Sequence, residues 1–197
     1  MKRLIAAALF AAPLFAMAAP VNLLTNGSFE STVVGSGSYT IVNSTAGWTV
    51  GPNGLEIRNN VAGSAFDGVN FVELDTTANS WISQTLNTVF GATYTMSFAY
   101  ANRPDQLGAA SNGLSWSIGS LSGLVGNNTN TTWQTFTTTF TGTGSPMTLK
   151  FAAAGISDSY GTSLDKVSVT AVPEPESLAL LLAGLGAMGV VLRRRKA

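Results

Sequence analysis

Any chemistry in this chain must proceed without histidine or cysteine, since neither occurs among its 197 residues. That removes Ser-His and Cys-His nucleophile pairs, the usual zinc sites and the commonest general base. Carboxylates remain. Between residues 19 and 172 eight acids (Glu30, Glu56, Asp67, Glu73, Asp75, Asp105, Asp158, Asp165) stand against four cations (Arg58, Arg103, Lys150, Lys166). A pair such as Glu56 and Glu73 could do glycosidase acid–base work if both faced one cleft about 5 to 9.5 Å apart. Eight scattered acids are expected by chance in a secreted domain, so no enzyme is expected. Two-residue alternation puts Glu73 and Asp75 on one strand face. It also turns Trp81 away from Ile82 and Leu86, so Trp81 faces water if those two face the core. A large exposed indole on a sheet face points to ligand contact, because such groups are normally withdrawn from water; the alternative tucks Trp81 under a loop. Arg103, Asp105 and Gln106 could add polar contacts from a loop. Trp48, Trp116 and Trp133 sit in apolar alternation or beside glycine turns and are expected in the core.

The elements that would position these groups are strands. Apolar positions alternate at Tyr94, Met96, Phe98 and Tyr100; at Leu114, Trp116 and Ile118; at Phe136 and Phe140; and at Ile82 and Leu86 around Gln84. Near the end, Leu164, Lys166, Ser168 and Thr170 are expected to face opposite to Asp165, Val167 and Val169. Turn-formers separate the runs: Asn26-Gly27, Asp67-Gly68, Asn112-Gly113 and Gly142-Thr143-Gly144-Ser145-Pro146. No stretch within the domain sustains a helical period. Many short strands at this spacing predict an all-β, two-sheet sandwich. Without cysteine, its stability must come from sheet packing, with a metal as an optional aid. The domain's eight acids and four cations leave a net charge of −4, which excludes a basic nucleic-acid-binding surface. Its polar surface is Ser, Thr, Asn and Gly, whose hydroxyls and amides suit sugars or glycan decoration.

Both ends read as export signals. Met1-Lys2-Arg3, an apolar stretch over 4–15 and Ala16-Met17-Ala18 give charged region, hydrophobic region and cleavage site in order, a signal peptide over 1–18. At the other end Pro173-Glu174-Pro175 precedes an apolar run over 177–192 and the cations Arg193, Arg194, Arg195 and Lys196. At ~1.5 Å per residue the run reaches roughly 24 Å against a hydrocarbon core of about 30 Å, a short transmembrane helix with a basic stop-transfer cluster on the cytoplasmic side.

This three-part tail, 172–197, resembles the PEP-CTERM sorting signals of Gram-negative bacteria that make extracellular polysaccharide. The resemblance implies that Pro173, Glu174 and Pro175 are recognised by an exosortase, with transient residence in the inner membrane before delivery to the cell surface or beyond. A second resemblance spans the domain, 19–171. Asn22-Leu23-Leu24-Thr25-Asn26-Gly27-Ser28-Phe29-Glu30, Gly47-Trp48, Asp67-Gly68 with Phe71-Val72-Glu73-Leu74, Gly91-Ala92-Thr93-Tyr94 and Ser163-Leu164-Asp165-Lys166-Val167 look like galactose-binding-like jelly rolls. These include the DUF642 and choice-of-anchor families and carbohydrate-binding modules. The resemblance implies a jelly-roll β-sandwich and a possible structural calcium (Ca2+) at Glu30 and Asp165, although Lys166 stands where such families often place Asn or Asp. It also implies sugar contact through an aromatic platform, here Trp81 with Arg103 and Asp105. The expected function is an exosortase-processed surface or extracellular-matrix protein of the exopolysaccharide or biofilm; the alternative is a lectin-like carbohydrate-binding module.

Overall fold

A computed structural model describes residues 21–106, 110–126 and 131–173, together with three isolated tail positions, 183, 184 and 186. The signal peptide, Glu174, Pro175, most of the apolar run and the basic cluster lie outside the described residues, as do 127–130 of the Asn/Thr-rich loop. Among the described residues no helix is long and apolar enough to cross a membrane.

Eleven strands form among the described residues: β1 (Ser38–Val42), β2 (Thr49–Val50), β3 (Leu55–Asn59), β4 (Phe71–Glu73), β5 (Trp81–Asn87), β6 (Thr93–Ala101), β7 (Leu114–Ile118), β8 (Leu121–Val125), β9 (Gln134–Thr141), β10 (Pro146–Ala153) and β11 (Ser163–Ala171). They assemble into a six-stranded sheet, β1-β3-β4-β11-β6-β9, and a five-stranded sheet, β2-β5-β10-β7-β8. Adjacent strands pair antiparallel throughout both sheets. The result is a β-sandwich. Its core follows from the alternation: Ile82, Gln84 and Leu86 of β5, Met147, Leu149 and Phe151 of β10 and Leu114, Trp116 and Ile118 of β7 are all buried. The facing sheet contributes Tyr94, Met96 and Phe98 of β6. The two layers lock through aromatic pairs, Phe98 edge-on to Phe151 at 4.9 Å and Trp116 against Phe136 at 4.9 Å. Each fully buried Phe or Leu contributes about 1.5–3 kcal/mol, and offset or edge-to-face ring contacts add roughly 0.5–1.5 kcal/mol.

The N-terminal segment is a clasp. Asn22 accepts the Val169 amide at 2.9 Å through Oδ1 and donates to the Val167 carbonyl at 3.1 Å. Gly27 lies so close to β11 that a Cβ there would stand 2.1 Å from the Val167 oxygen. Gln84 receives the Thr25 amide and returns a bond to the Thr25 carbonyl, which satisfies its buried amide. Trp48 donates to the Asn26 carbonyl at 3.0 Å and stacks on Phe29 at 5.7 Å.

Two expectations are corrected. The alternation read through β11 breaks at a bulge: the register to β6 slips between Asp165 and Ser168, with Lys166 at φ 47°. The extra residue resets the phase, so Leu164, Val167 and Val169 all enter the core instead of Leu164 facing away from the two valines. Trp133 is not in the main core. It is half-buried outside it, between Phe66 at 5.9 Å and Phe71 at 5.9 Å, its indole donating to the Ser64 carbonyl. Trp48 and Trp116 are core residues as expected.

Candidate functional sites on the two outer faces

The outer face of the five-stranded sheet carries the side chains that alternate with the core. Strand register aligns Trp81, Ala152, Ser115 and Leu124 as one row across β5, β10, β7 and β8, and Ser83, Lys150, Ser117 and Ser122 as the next. With strands about 4.8 Å apart, Trp81 and Leu124 stand roughly 14 Å apart across a floor of two small residues. A hollow of about 520 Å3 occupies the β10-β7-β8 side of this face, lined by the serines, Gly123, Leu124, Lys150 and Ala152, with the edge of Trp116 beneath. Trp81 borders it. Its indole is half-buried against Gly51, where an added Cβ would approach the ring to 2.9 Å, and the Lys150 ammonium lies 4.7 Å from the ring centroid. Trp81 therefore faces outward on this sheet, held by a glycine and a cation–π contact. Lys150, Ser115, Ser117 and Leu124 were not singled out from the sequence. The serines were legible in the alternation of β7, but their alignment with Trp81 depends on pairing between strands distant in sequence.

Arg103 and Asp105 belong elsewhere. Following β6, Arg103 pairs with Asp105 through two bonds of 2.9 and 3.1 Å, reaches Glu73 at 3.3 Å and lies 4.6 Å from the Tyr160 ring centroid. Those bonds hold the Asp105 carboxyl below its ordinary range. Beneath them, on the outer face of the six-stranded sheet, Glu56 and Glu73 are direct cross-strand partners. Arg58, fully buried, bonds Glu56 at 2.5 Å and also pairs with Glu73. Burial pushes Glu73 up to about 8, although Arg58 and Arg103 both pull it down. Arg58 Nη1 and Glu73 Oε1 are buried without a hydrogen-bond partner. The two carboxylates are thus neighbours, as glycosidase chemistry would need, but an arginine ties them together away from solvent, leaving no room for a sugar between them. Asp75, also fully buried, instead accepts the amides of Asp158 at 2.9 Å and Ser159 at 3.1 Å and so ties down the loop before β11.

Glu30 and Asp165 converge on one loop. Glu30 Oε1 accepts the amides of Val69 and Asn70 at 2.9 and 2.8 Å. Asp165 Oδ2 accepts those of Phe66 and Asp67 at 2.8 and 2.9 Å, and its Oδ1 that of Lys166 at 2.6 Å. Burial raises Asp165 to about 6 against those amide bonds. Calcium needs six to eight oxygen ligands. These oxygens are instead met by N–H groups, which present positive charge where a cation would sit. No group of three or more acidic side chains able to hold a metal occurs among the described residues. The contacts in this structure therefore do not fit the calcium expected at Glu30 and Asp165; here the two carboxylates anchor residues 66–70.

Fold and sites define an antiparallel β-sandwich with an open, hydroxyl-lined sheet face and a closed ionic cluster on the opposite sheet. The chain belongs to the DUF642 family, described as "Protein of unknown function (DUF642)", which matches residues 22–170, and a PEP-CTERM protein-sorting motif matches 171–196. No curated protein matches it. Among solved structures it is similar to a Stig cyclase, FisC, from Fischerella sp. TAU in complex with an indole compound. That likeness has 19% identity and a TM-score of 0.58, covering 80% of this chain and 100% of the cyclase chain. It is also similar to TmCBM61 in complex with beta-1,4-galactotriose, with 14% identity and a TM-score of 0.57, covering 77% of this chain and 99% of that one. At these identities the likenesses establish the fold.

Proposed function

We propose that this is an exported, non-enzymatic surface protein, sorted through its PEP-CTERM motif by an exosortase, whose sandwich holds carbohydrate of the exopolysaccharide or biofilm. The observation that carries the binding reading is the row Trp81-Ala152-Ser115-Leu124 across one open sheet face. An aromatic wall suits the apolar face of a pyranose ring, the serines and Lys150 suit its hydroxyls, and small floor residues leave room for it. The similar fold of TmCBM61, crystallised with a galactotriose, is consistent with this reading. A reaction on Glu56 and Glu73 is disfavoured by their closed, arginine-tied arrangement.

The test is affinity electrophoresis of the protein through gels containing the host exopolysaccharide, beside Trp81→Ala. Truncating a central aromatic contact is expected to weaken retardation roughly ten-fold or more, whereas Arg103→Ala should leave it unchanged. Equal migration of wild type with and without polysaccharide would favour a second reading, a matrix protein with no sugar cleft of its own. Sorting is tested by the mass of the mature protein: a C-terminus persisting through Ala197 in a strain with active exosortase would sink that part of the proposal.

A further inference from the structure

One end of the sandwich is apolar at its tip and devoid of charge. The β5–β6 loop projects Val89 and Phe90, 67% and 83% exposed, and Phe90 is the most exposed aromatic residue among those described. The loop is not loose. Gly91 donates to the Gly142 carbonyl at 2.9 Å, Gly142 to Ala92 at 2.8 Å and the Thr143 amide to Thr88 Oγ1 at 3.1 Å, so the β9–β10 loop braces it. Rigid bracing leaves Phe90 no route into the core, and an aromatic held in water by its own scaffold calls for an external apolar partner.

The position of this end suggests the partner. The Val172 amide donates to the Thr93 carbonyl at 2.9 Å, so the chain leaves β11 beside the start of β6, at the same end as Phe90. None of residues 87–93, 141–147 and 170–173 is charged, whereas Glu73, Asp75, Arg103 and Asp105 gather where β4 and β6 finish. Four residues, 173–176, separate the domain from the apolar run, and fully extended they reach at most about 14 Å. A lipid headgroup layer is roughly 5–8 Å deep on each side of the hydrocarbon core. A domain tethered so briefly stays within about 10 Å of the headgroup surface of a bilayer in which 177–192 is embedded, and the end nearest that surface is the uncharged one.

We propose that this end docks on the lipid interface while the tail is in the membrane, with Phe90 and Val89 entering the headgroup–acyl boundary. The inference rests on the reading of 177–192 as a membrane segment. Docking sets the domain upright and brings Pro173, where the chain leaves the domain, close to the membrane surface.

Because the chain has no cysteine, a single introduced thiol can be labelled alone. The full-length protein is reconstituted into vesicles of phosphatidylethanolamine and phosphatidylglycerol containing spin-labelled lipid quenchers, shallow in one set and near the bilayer centre in another. An environment-sensitive fluorophore is placed in turn on Val89→Cys, Gly184→Cys and Asp158→Cys. Quenching at 89 by the shallow label and at 184 by the deep one, with none at 158 and a several-fold loss at 89 on adding Phe90→Ser, supports docking. Quenching at 184 with none at 89 overturns docking and leaves the tail reading intact. Absence of quenching at 184 by either label overturns the tail reading, and docking falls with it.

Discussion

Glu73 concentrates the electrostatics of this domain in one side chain. Its carboxyl is fully buried between Arg58 and Arg103, with Glu56 directly across the strand pair. Burial wins, moving it from 4.5 to about 8. An acid whose folded pKa lies above its unfolded one binds more protons folded than unfolded, so its contribution is present below the unfolded pKa and fades as pH rises through the folded one. Asp165, raised from 3.8 to about 6, acts in the same direction over a lower window. Urea midpoints are therefore expected to fall from pH 5 to pH 8, and Glu73→Gln should flatten the upper part of that slope. A wild-type midpoint that rises over this range would show Glu73 to be ionised in the folded protein. Arg58→Ala is expected to cost about 3–5 kcal/mol, because it leaves the Glu56 carboxylate and the buried Glu73 carboxyl without the guanidinium that bonds both.

At the scale of elements, the clasp between the N-terminal segment and β11 decides whether the sandwich closes. Gly27→Ala sets a methyl 2.1 Å from the Val167 carbonyl oxygen, a backbone atom that cannot swing aside. A loss of roughly 3 kcal/mol in chemical denaturation is expected. Gly35→Ala is the matched control, since nothing lies within 4 Å of its added Cβ, and it should be neutral or stabilising by up to about 1 kcal/mol. Equal effects at the two positions would mean that the clasp is dispensable. The Asn22-to-Glu30 motif was legible in sequence as a family feature. Its physical content, one asparagine holding two residues of β11 and one glycine admitting a carbonyl, was not, because the partner strand lies about 145 residues away. The bulge was hidden for a similar reason. Lys166 looks like an ordinary alternating residue until its backbone turns to φ 47°.

For the whole molecule, stability without disulfides must come from the two-sheet core and from carboxylates that hold loops through amides. Removal of divalent ions with EDTA is expected to leave the thermal midpoint unchanged. A clear drop, reversed by calcium, would place an ion at Glu30 and Asp165 after all. The molecule also separates its features in space: a hydroxyl-lined sheet face, a closed ionic cluster on the other sheet, and an uncharged end beside the tail.

The sequence by itself determined the all-β class, the inward face of most strands and the outward turn of Trp81. These are consequences of a two-residue period that each strand carries locally. It also determined the order of the tail's motif, apolar run and basic cluster, which is purely local information. Only the tertiary structure decided which outward residues share a site. Trp81, Ser115, Lys150 and Leu124 share one face because β5, β10, β7 and β8 pair in one register, while Arg103 and Asp105 join Glu73 on the other sheet. The fate of Glu56 and Glu73 was likewise set by Arg58, two positions from one and across the strand pair from the other. Pairing between distant strands places side chains in contact, and a local period cannot encode it.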